Sequence, residues 1–183
     1  LILALTRKIY QGIDQIKEIG SFSLAGLRGT DLKGKTIGIV GTGRIGREMA
    51  KIARGFSMKI VGYDPFPDEN FARESGLEYL SLEGLLGIAD IITLHCPYNQ
   101  NTHHLIHNGN IHLVKKGAYL VNTARGAIVE TEAIVGALKE GILAGYGADV
   151  LEEEGETKDE LTILALGHPH EEELMTMLRN HIL

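Results

Sequence analysis

Three glycines and one aspartate have the types and the spacing needed to hold a nucleotide. Gly41, Gly43 and Gly46 form the pattern G-x-G-x-x-G within the segment GTGRIG. In this pattern the first glycine permits a tight turn, the second lets a pyrophosphate approach the backbone, and the third lets a helix pack closely on a strand. Asp64 follows at about the distance expected of an acid that binds both hydroxyls of the adenine ribose. Because its charge would repel a 2′-phosphate, the pattern predicts NAD rather than NADP.

The elements around these residues are those that a nucleotide site needs. The β-branched run TIGIV predicts a buried strand that ends directly before Gly41, and helical spacing of apolar residues follows Gly46 in EMAKIARGF. A helix that begins at the glycine turn presents free N–H groups and a partial positive charge to phosphates. A second predicted strand, residues 59–64, ends on Asp64.

Strands and helices continue to alternate along the chain. Further strands are predicted at 89–95, 118–121 and 144–150, and helices at 71–75, 81–86 and 131–140. Ser81 and Thr131 are the predicted N-caps of two of these helices, and Gly141 is the predicted stop of the last one. Alternation of this kind predicts an α/β fold with a Rossmann-type, doubly wound and mostly parallel sheet. Ligands bind such sheets beyond the carboxyl ends of the strands.

Composition and charge exclude several classes of function. The chain has 183 residues and a net charge of −6, so it lacks the basic surplus typical of nucleic-acid binding. It has a single cysteine, Cys96, which cannot form an internal disulfide, so we expect a reducing compartment and the cytoplasm. No apolar stretch reaches the ~20 residues of a membrane span. We expect no base near Cys96, and therefore no nucleophilic role for its thiol.

The chain is predicted to have three parts: an opening helix and loop (1–33), a nucleotide-binding domain (34–154), and an acidic loop with a helical segment (155–183). The opening segment has an apolar residue at every third or fourth position, which predicts a helix with one apolar face. These residues are Ile2, Leu5, Ile9, Ile13, Ile16 and Ile19. No strand of the segment's own covers this face, so we expect it to form a homodimer contact.

The nucleotide motif is followed by three further segments, HCPYNQNT, VNTARG and DVLEEE. Together they resemble the D-isomer-specific 2-hydroxyacid dehydrogenases, and most of all their D-lactate dehydrogenase branch, from about Gly34 to Glu154. The resemblance implies an NAD-dependent oxidoreductase that transfers hydride between NAD(H) and a small D-2-hydroxy acid. D-Lactate and pyruvate are the most expected pair.

The resemblance also implies roles for individual residues. Arg125 would hold the substrate carboxylate in a planar, two-bond fork, and Glu154 would pair with a catalytic histidine and keep it protonated. Asp149 would bond the nicotinamide amide. The remaining implied cofactor contacts lie in the glycine turn and in loops after the strands: Gly41, Gly43, Arg44, Ile45, Gly46, Asp64, Cys96, Pro97, Thr102, Thr123, Ala124 and Arg125.

Two features of the family pattern are missing. The catalytic histidine of the family follows a further strand, but no such strand precedes His170, so we expect that histidine beyond Leu183. The substrate domain is also absent, so we expect this chain to bind NADH with little or no turnover. A different class remains open, an NAD-sensing regulatory or corepressor-like module. No metal site is expected, and we interpret the nearby histidines as surface loop residues: His103, His104, His107 and His112.

Overall fold

The computed structural model describes residues 1–17 and 25–152. Several sequence predictions lie outside these ranges. They concern Ile19 of the opening segment, Glu154, the histidine pair around His170, and the final helical segment.

Within residues 1–17 and 25–152 six parallel strands form one sheet, and the alternation predicted five of them. They are β1 (Thr36–Val40), β2 (Lys59–Tyr63), β3 (Glu78–Tyr79), β4 (Ile91–Leu94), β5 (Ala118–Asn122) and β6 (Leu143–Ala148). Their order across the sheet is β3-β2-β1-β4-β5-β6. The sheet therefore grows outward from β1 in both directions, which confirms the doubly wound fold. The sequence did not predict the two-residue strand β3.

Six α-helices accompany these strands in the part of the chain that the structure describes. They are α1 (Ile2–Thr6), α2 (Ile9–Lys17), α3 (Arg44–Gly55), α4 (Glu69–Ser75), α5 (Leu82–Ile88) and α6 (Thr131–Lys139). The opening segment contributes two of them, so the prediction of one continuous opening helix is wrong. The break falls at Lys8, whose φ of 52° lies in the left-handed region and cannot continue a right-handed helix.

The helix ends show which capping predictions hold. The Ser81 side chain accepts a hydrogen bond from Gly84 N at 3.1 Å, which confirms the predicted cap of α5. Gly141, with φ of 68°, follows the last turn of α6, which confirms the predicted stop. The prediction that Thr131 caps α6 is wrong, because Thr131 is the first helical residue and Glu130 precedes it without a side-chain cap bond. Asp68 caps α4, which begins at Glu69.

Apolar side chains cover both faces of the sheet. On one face Ile37 and Ile39 of β1 pack in a cluster with residues of α3 and α4. On the other face Val40 joins a larger cluster with residues of α5 and α6. Burying each Ile or Leu side chain contributes roughly 1.5–3 kcal/mol. The two layers of helices hold the strands in register, so the loops at the carboxyl ends of the strands stand on a rigid base.

None of the helices in residues 1–17 and 25–152 has the length and apolar character needed to span a membrane.

Candidate functional site

The residues predicted to bind a cofactor follow five neighbouring strands at one edge of the sheet. The strand order arranges them in a row: Asp64 after β2, the glycine turn after β1, Cys96 after β4, Arg125 after β5 and Asp149 after β6. Four inter-strand spacings of about 4.8 Å give this row a length of about 19 Å. The chain reverses its direction of growth between β1 and β4, which is where doubly wound sheets bind ligands.

The glycine turn is closely packed at its two ends. Gly41 has φ of 91°, and a Cβ there would lie 2.6 Å from the backbone nitrogen of Cys96. A Cβ at Gly46 would lie 2.0 Å from the carbonyl oxygen of Gly41. Both contacts are with backbone, which cannot move aside as a flexible side chain would. The turn therefore requires glycine at both positions.

The middle of the turn is open. Gly43 is the exposed N-cap residue of α3 and makes no side-chain cap bond, and a Cβ built on it would meet no atom within 4 Å. Arg44 and Ile45 are also exposed, and the Ile45 side chain is 66% accessible. An open backbone at the start of a twelve-residue helix has the space and the partial positive charge that phosphates need.

Asp64 is fixed by three hydrogen bonds. Its Oδ2 accepts from the Thr42 backbone nitrogen at 2.8 Å and from Thr42 Oγ1 at 3.1 Å, and its Oδ1 accepts from Phe66 N at 3.0 Å. A carboxylate has about four acceptor positions, so this arrangement leaves one on Oδ1. The geometry thus accommodates one ribose hydroxyl, whereas the sequence predicts bonds to both.

A network that the sequence did not predict holds Thr42 in place. Since the Thr42 hydroxyl donates to Asp64, it accepts from the Tyr79 hydroxyl at 2.8 Å. Tyr79 in turn accepts from Asp68 N at 3.2 Å, and the Asp68 carboxylate pairs with Arg47 at 2.8 Å. Arg47 also donates to the Thr42 carbonyl. The short strand β3 therefore matters to the site, because it brings Tyr79 beside the glycine turn.

The Cys96 thiol lies buried after β4. Burial, with a smaller contribution from the negative charge of Asp64, raises its pKa to about 11. A thiol with this pKa is neutral at physiological pH and is a poor nucleophile. This agrees with the prediction that Cys96 has no nucleophilic role. The neighbouring His95 has a lowered pKa because burial disfavours its charged form.

Thr102 closes the loop that follows Cys96. Its hydroxyl donates to the Pro97 carbonyl at 2.7 Å and accepts from Asn99 N at 2.8 Å. The predicted contact residue Pro97 is exposed on the same loop. The Thr102 side chain therefore holds the loop in shape and keeps one acceptor position on its hydroxyl.

A buried asparagine sets the conformation of the Arg125 turn. Asn122, the last residue of β5, accepts from Ala124 N at 3.1 Å and donates to the Arg125 carbonyl at 2.9 Å. Its side chain is completely buried, whereas Arg125 is exposed and its guanidinium donates to the carbonyl of Ala124 at 2.8 Å. Thr123 is exposed in the same turn. Sequence reasoning missed Asn122, although an asparagine that bonds the backbone two residues on is a known turn signal.

The chain after β6 passes directly over the Arg125 turn. A Cβ at Gly126 would lie 1.8 Å from the Leu151 carbonyl oxygen, so two stretches of backbone are in contact there. Asp149, just past the end of β6, is exposed. The sheet thus brings Asp149 and Arg125 to neighbouring strand ends. Glu154 lies outside the described residues.

Glu152 is tied to two other segments by its side chain. Its Oε2 accepts from Thr131 N at 2.9 Å and from Thr131 Oγ1 at 2.5 Å, and its Oε1 accepts from His104 Nε2. Burial by itself raises the pKa of Glu152, but the bonds from Thr131 and His104 outweigh burial and lower it. Glu152 is therefore ionised at neutral pH.

The histidines after β4 contact one another and the backbone of their own loop. The rings of His103 and His104 stack with their centroids 3.9 Å apart, and the backbone nitrogen of Gly109 donates to His107 Nδ1 at 3.1 Å. His112 lies in a 3₁₀ turn. Within residues 1–17 and 25–152 no group of three or more histidine, cysteine or acidic side chains could hold a metal ion.

This fold and this glycine turn, with an acid directly after β2, define a dinucleotide-binding domain of the Rossmann class. The family model "D-isomer specific 2-hydroxyacid dehydrogenase, NAD binding domain" matches residues 1–182. The chain therefore belongs to the D-isomer-specific 2-hydroxyacid dehydrogenase family and is an NAD-binding domain, which confirms the resemblance and the cofactor that the sequence predicted.

Individual relatives agree with this assignment. The chain is 47% identical over 155 residues to 2-hydroxyacid dehydrogenase A of Aspergillus oryzae, covering 85% of this chain and 44% of the relative. It is 38% identical over 154 residues to D-lactate dehydrogenase of Escherichia coli, covering 84% of this chain and 46% of that relative. The chain thus spans about half the length of the curated relatives that it matches.

A solved structure shows the same fold. D-Lactate dehydrogenase from Aquifex aeolicus, determined with NAD and lactic acid, superposes with a TM-score of 0.82 and 35% sequence identity. The superposition covers 98% of this chain and 53% of that protein.

Proposed function

We propose that the protein to which this domain belongs transfers hydride between NAD(H) and carbon 2 of a small D-2-hydroxy acid, with pyruvate and D-lactate as the first pair to test. The observation that carries the proposal is the row of strand ends. It has an acid at β2, an open glycine turn at β1, and a guanidinium at β5 beside an acid at β6. Relatives named D-lactate dehydrogenase support the choice of substrate.

The residues present fit the dinucleotide. The open backbone at Gly43 would receive the pyrophosphate, and the remaining acceptor position on Asp64 would receive a ribose hydroxyl. Arg44 and Ile45 would contact the cofactor from the start of α3. Cys96, Pro97 and Thr102 would form the loop on its adenosine side, and Asp149 would bond the nicotinamide amide.

The chemistry at the reacting end falls to side chains. When bound, NADH supplies the hydride. Arg125 would hold the carboxylate of the 2-oxo acid with two parallel bonds and so orient the keto carbon, and Thr123 and Ala124 would contact the cofactor. Glu154 would pair with a histidine and keep it protonated, so that the histidine can donate a proton to the substrate oxygen.

A panel of 2-oxo acids tests this proposal. The full-length gene product should consume NADH with at least one small 2-oxo acid, with pyruvate first, whereas residues 1–183 alone should bind NADH and turn over little or none. Absence of turnover with every acid, while NADH still binds, would favour the NAD-sensing regulatory module instead. The chain has one cysteine, Cys96, which is a free thiol, and on this ground we propose a reducing compartment and the cytoplasm.

Cofactor preference gives a separate prediction. Replacing Asp64 with serine should weaken NAD binding and strengthen NADP binding relative to the parent, because the substitution removes the charge that repels a 2′-phosphate. The matched control is Asp31→Ser, an exposed acid that pairs with Arg7 away from the glycine turn. Titration calorimetry with both cofactors measures the effect. Unchanged affinities for both would mean that Asp64 does not touch the ribose.

We also propose a homodimer that uses the opening helices. Ile9, Ile13 and Ile16 on α2 are about half exposed, and a groove of about 250 Å³ lies between α1 and α3. Exposed apolar surface of this kind is typical of an interface. Sedimentation at tens of micromolar should show a dimer, and Ile13→Asp should shift it to monomer. A monomeric parent chain would contradict the proposal.

A further inference from the structure

Side-chain hydrogen bonds join three segments of the chain next to the Arg125 turn. The loop after β4 reaches His104, the turn after β5 reaches Thr131, and the chain after β6 reaches Glu152. We refer to these three residues and their hydrogen bonds as the Glu152 clamp. The clamp lies outside the residues that the proposed function assigns to cofactor or substrate.

The geometry points to His104 and Glu152 as positioning residues, which hold the cofactor-side loop 97–104 against the Arg125 turn. This inference rests on the proposed function, because it takes the loop and the turn to be the parts that contact cofactor and substrate. The two residues act through the backbone to which they are attached.

The hydrogen bonds of Glu152 leave it little capacity for other work. One carboxylate oxygen accepts from His104, and the other accepts both the backbone N–H and the hydroxyl of Thr131. The Glu152 side chain is only 18% exposed. A half-buried carboxylate with three donors is held in one position, so it suits a fixed anchor better than a group that contacts substrate.

The backbone contacts show what the anchor fixes. His104 N donates to the Ala127 carbonyl at 2.9 Å, and Ile106 forms a parallel bridge with Val129, so the loop after β4 lies along the segment that follows Arg125. Gly126, the residue after Arg125, lies directly beneath the Leu151 carbonyl. A displacement of Glu152 would therefore be transmitted to the Arg125 turn and to the loop at the same time.

The backbone at His104 is an independent sign of this constraint. Its φ of 47° lies in the left-handed region, which is uncommon for a residue other than glycine. Such conformations cost free energy, persist only where surrounding contacts impose them, and cluster at ligand sites and active sites. Here the stacked His103 ring and the bond to Glu152 are among the contacts that hold the conformation.

Four variants separate positioning from simple stabilisation. Glu152→Gln keeps the shape of the side chain but replaces one acceptor oxygen by a donor. His104→Asn keeps a residue that tolerates the left-handed conformation but is too short to reach Glu152. The third variant combines these two changes. The matched control is Glu132→Gln. It removes an exposed carboxylate from the first turn of α6, the helix that begins at Thr131.

Both single variants should weaken NADH binding to the 183-residue chain about tenfold and should lower kcat in the full-length gene product by roughly 10- to 100-fold, the scale of a misplaced catalytic geometry. The double variant should lose no more than the worse single variant, because both break one contact. Glu132→Gln should match the wild type, and so should a fifth variant, Thr131→Ser, which retains the hydroxyl.

A loss of thermal stability alone would contradict the inference. If Glu152→Gln and His104→Asn lower only the thermal midpoint, while kcat and NADH affinity stay at wild-type values, the clamp is merely structural and the inference fails. If Glu152→Gln does not fold, His104→Asn decides alone. A wild type that binds NADH but reduces no 2-oxo acid counts against the proposed function, and the affinity comparison then decides the clamp. A wild-type chain that binds no NADH overturns both.

Discussion

Gly46→Ala should lower the free energy of unfolding of this chain by at least about 3 kcal/mol, the upper end of the usual cost of overpacking. The added Cβ would lie 2.0 Å from the Gly41 carbonyl oxygen and 3.2 Å from a methyl group of Ile39. Neither the start of α3 nor the end of β1 can move without disturbing the sheet. Since domains are stable by only about 5–15 kcal/mol, urea unfolding should show a large shift of the midpoint.

Gly43→Ala is the matched control, and it should behave in the opposite way. Its φ of −65° and ψ of −167° are open to any residue, and an added Cβ would meet no atom within 4 Å. The free energy of unfolding should change by no more than about 1 kcal/mol. NADH affinity should nevertheless collapse, because the methyl group would occupy the space through which a pyrophosphate approaches the backbone.

The pair therefore separates the two uses of glycine in one turn. A Gly43→Ala variant that binds NADH as the parent does would show that the phosphates lie elsewhere. A Gly46→Ala variant as stable as the parent would show that α3 does not pack on β1 as closely as described.

Arg125→Lys should lower kcat/KM for the preferred 2-oxo acid by roughly 10- to 100-fold in the full-length gene product. Lysine keeps the positive charge but loses the planar fork, so it cannot form two parallel bonds to a carboxylate. A hydrogen bond to a charged group contributes about 1.5–3 kcal/mol, and each 1.4 kcal/mol is about a factor of ten. Steady-state kinetics of both proteins with varied oxo acid concentration measures the loss of kcat/KM.

The specificity of this effect can be checked with Arg54→Lys. Arg54 is in the last turn of α3 and bonds the Glu74 carbonyl, at the end of that helix opposite the glycine turn. This variant should leave kcat/KM unchanged. NADH affinity of Arg125→Lys should change less than the KM for the oxo acid. Equal losses in the two variants, or no loss in Arg125→Lys, would contradict the assigned role.

The sequence predicts those parts of the fold that local pattern specifies. The apolar runs around Ile39, Ile92 and Val121 predicted the strands, because residues buried on both faces of a parallel sheet form continuous apolar runs. The Ser81 cap was predictable because its donor is three residues away. The helix break at Lys8 and the two-residue strand at Tyr79 could not be predicted, because neither interrupts the apolar periodicity.

The other differences between the sequence predictions and the structure come from contacts between segments that are far apart in the sequence. Thr131 looked like a cap because threonine suits that position, but its own N–H and hydroxyl donate to Glu152, 21 residues further along the chain. In the same way one carboxylate oxygen of Asp64 accepts two bonds from Thr42, which lies 22 residues earlier in the chain. Composition and periodicity carry no information about such partners, because the fold alone brings them together.

Titration calorimetry of the 183-residue chain with NADH tests the central claim most directly, with Gly43→Ala as the comparison. The row of strand ends predicts saturable heat with one molecule bound per chain, and none with the variant. A parent chain that is folded by circular dichroism and yet gives no heat with NADH would contradict the account.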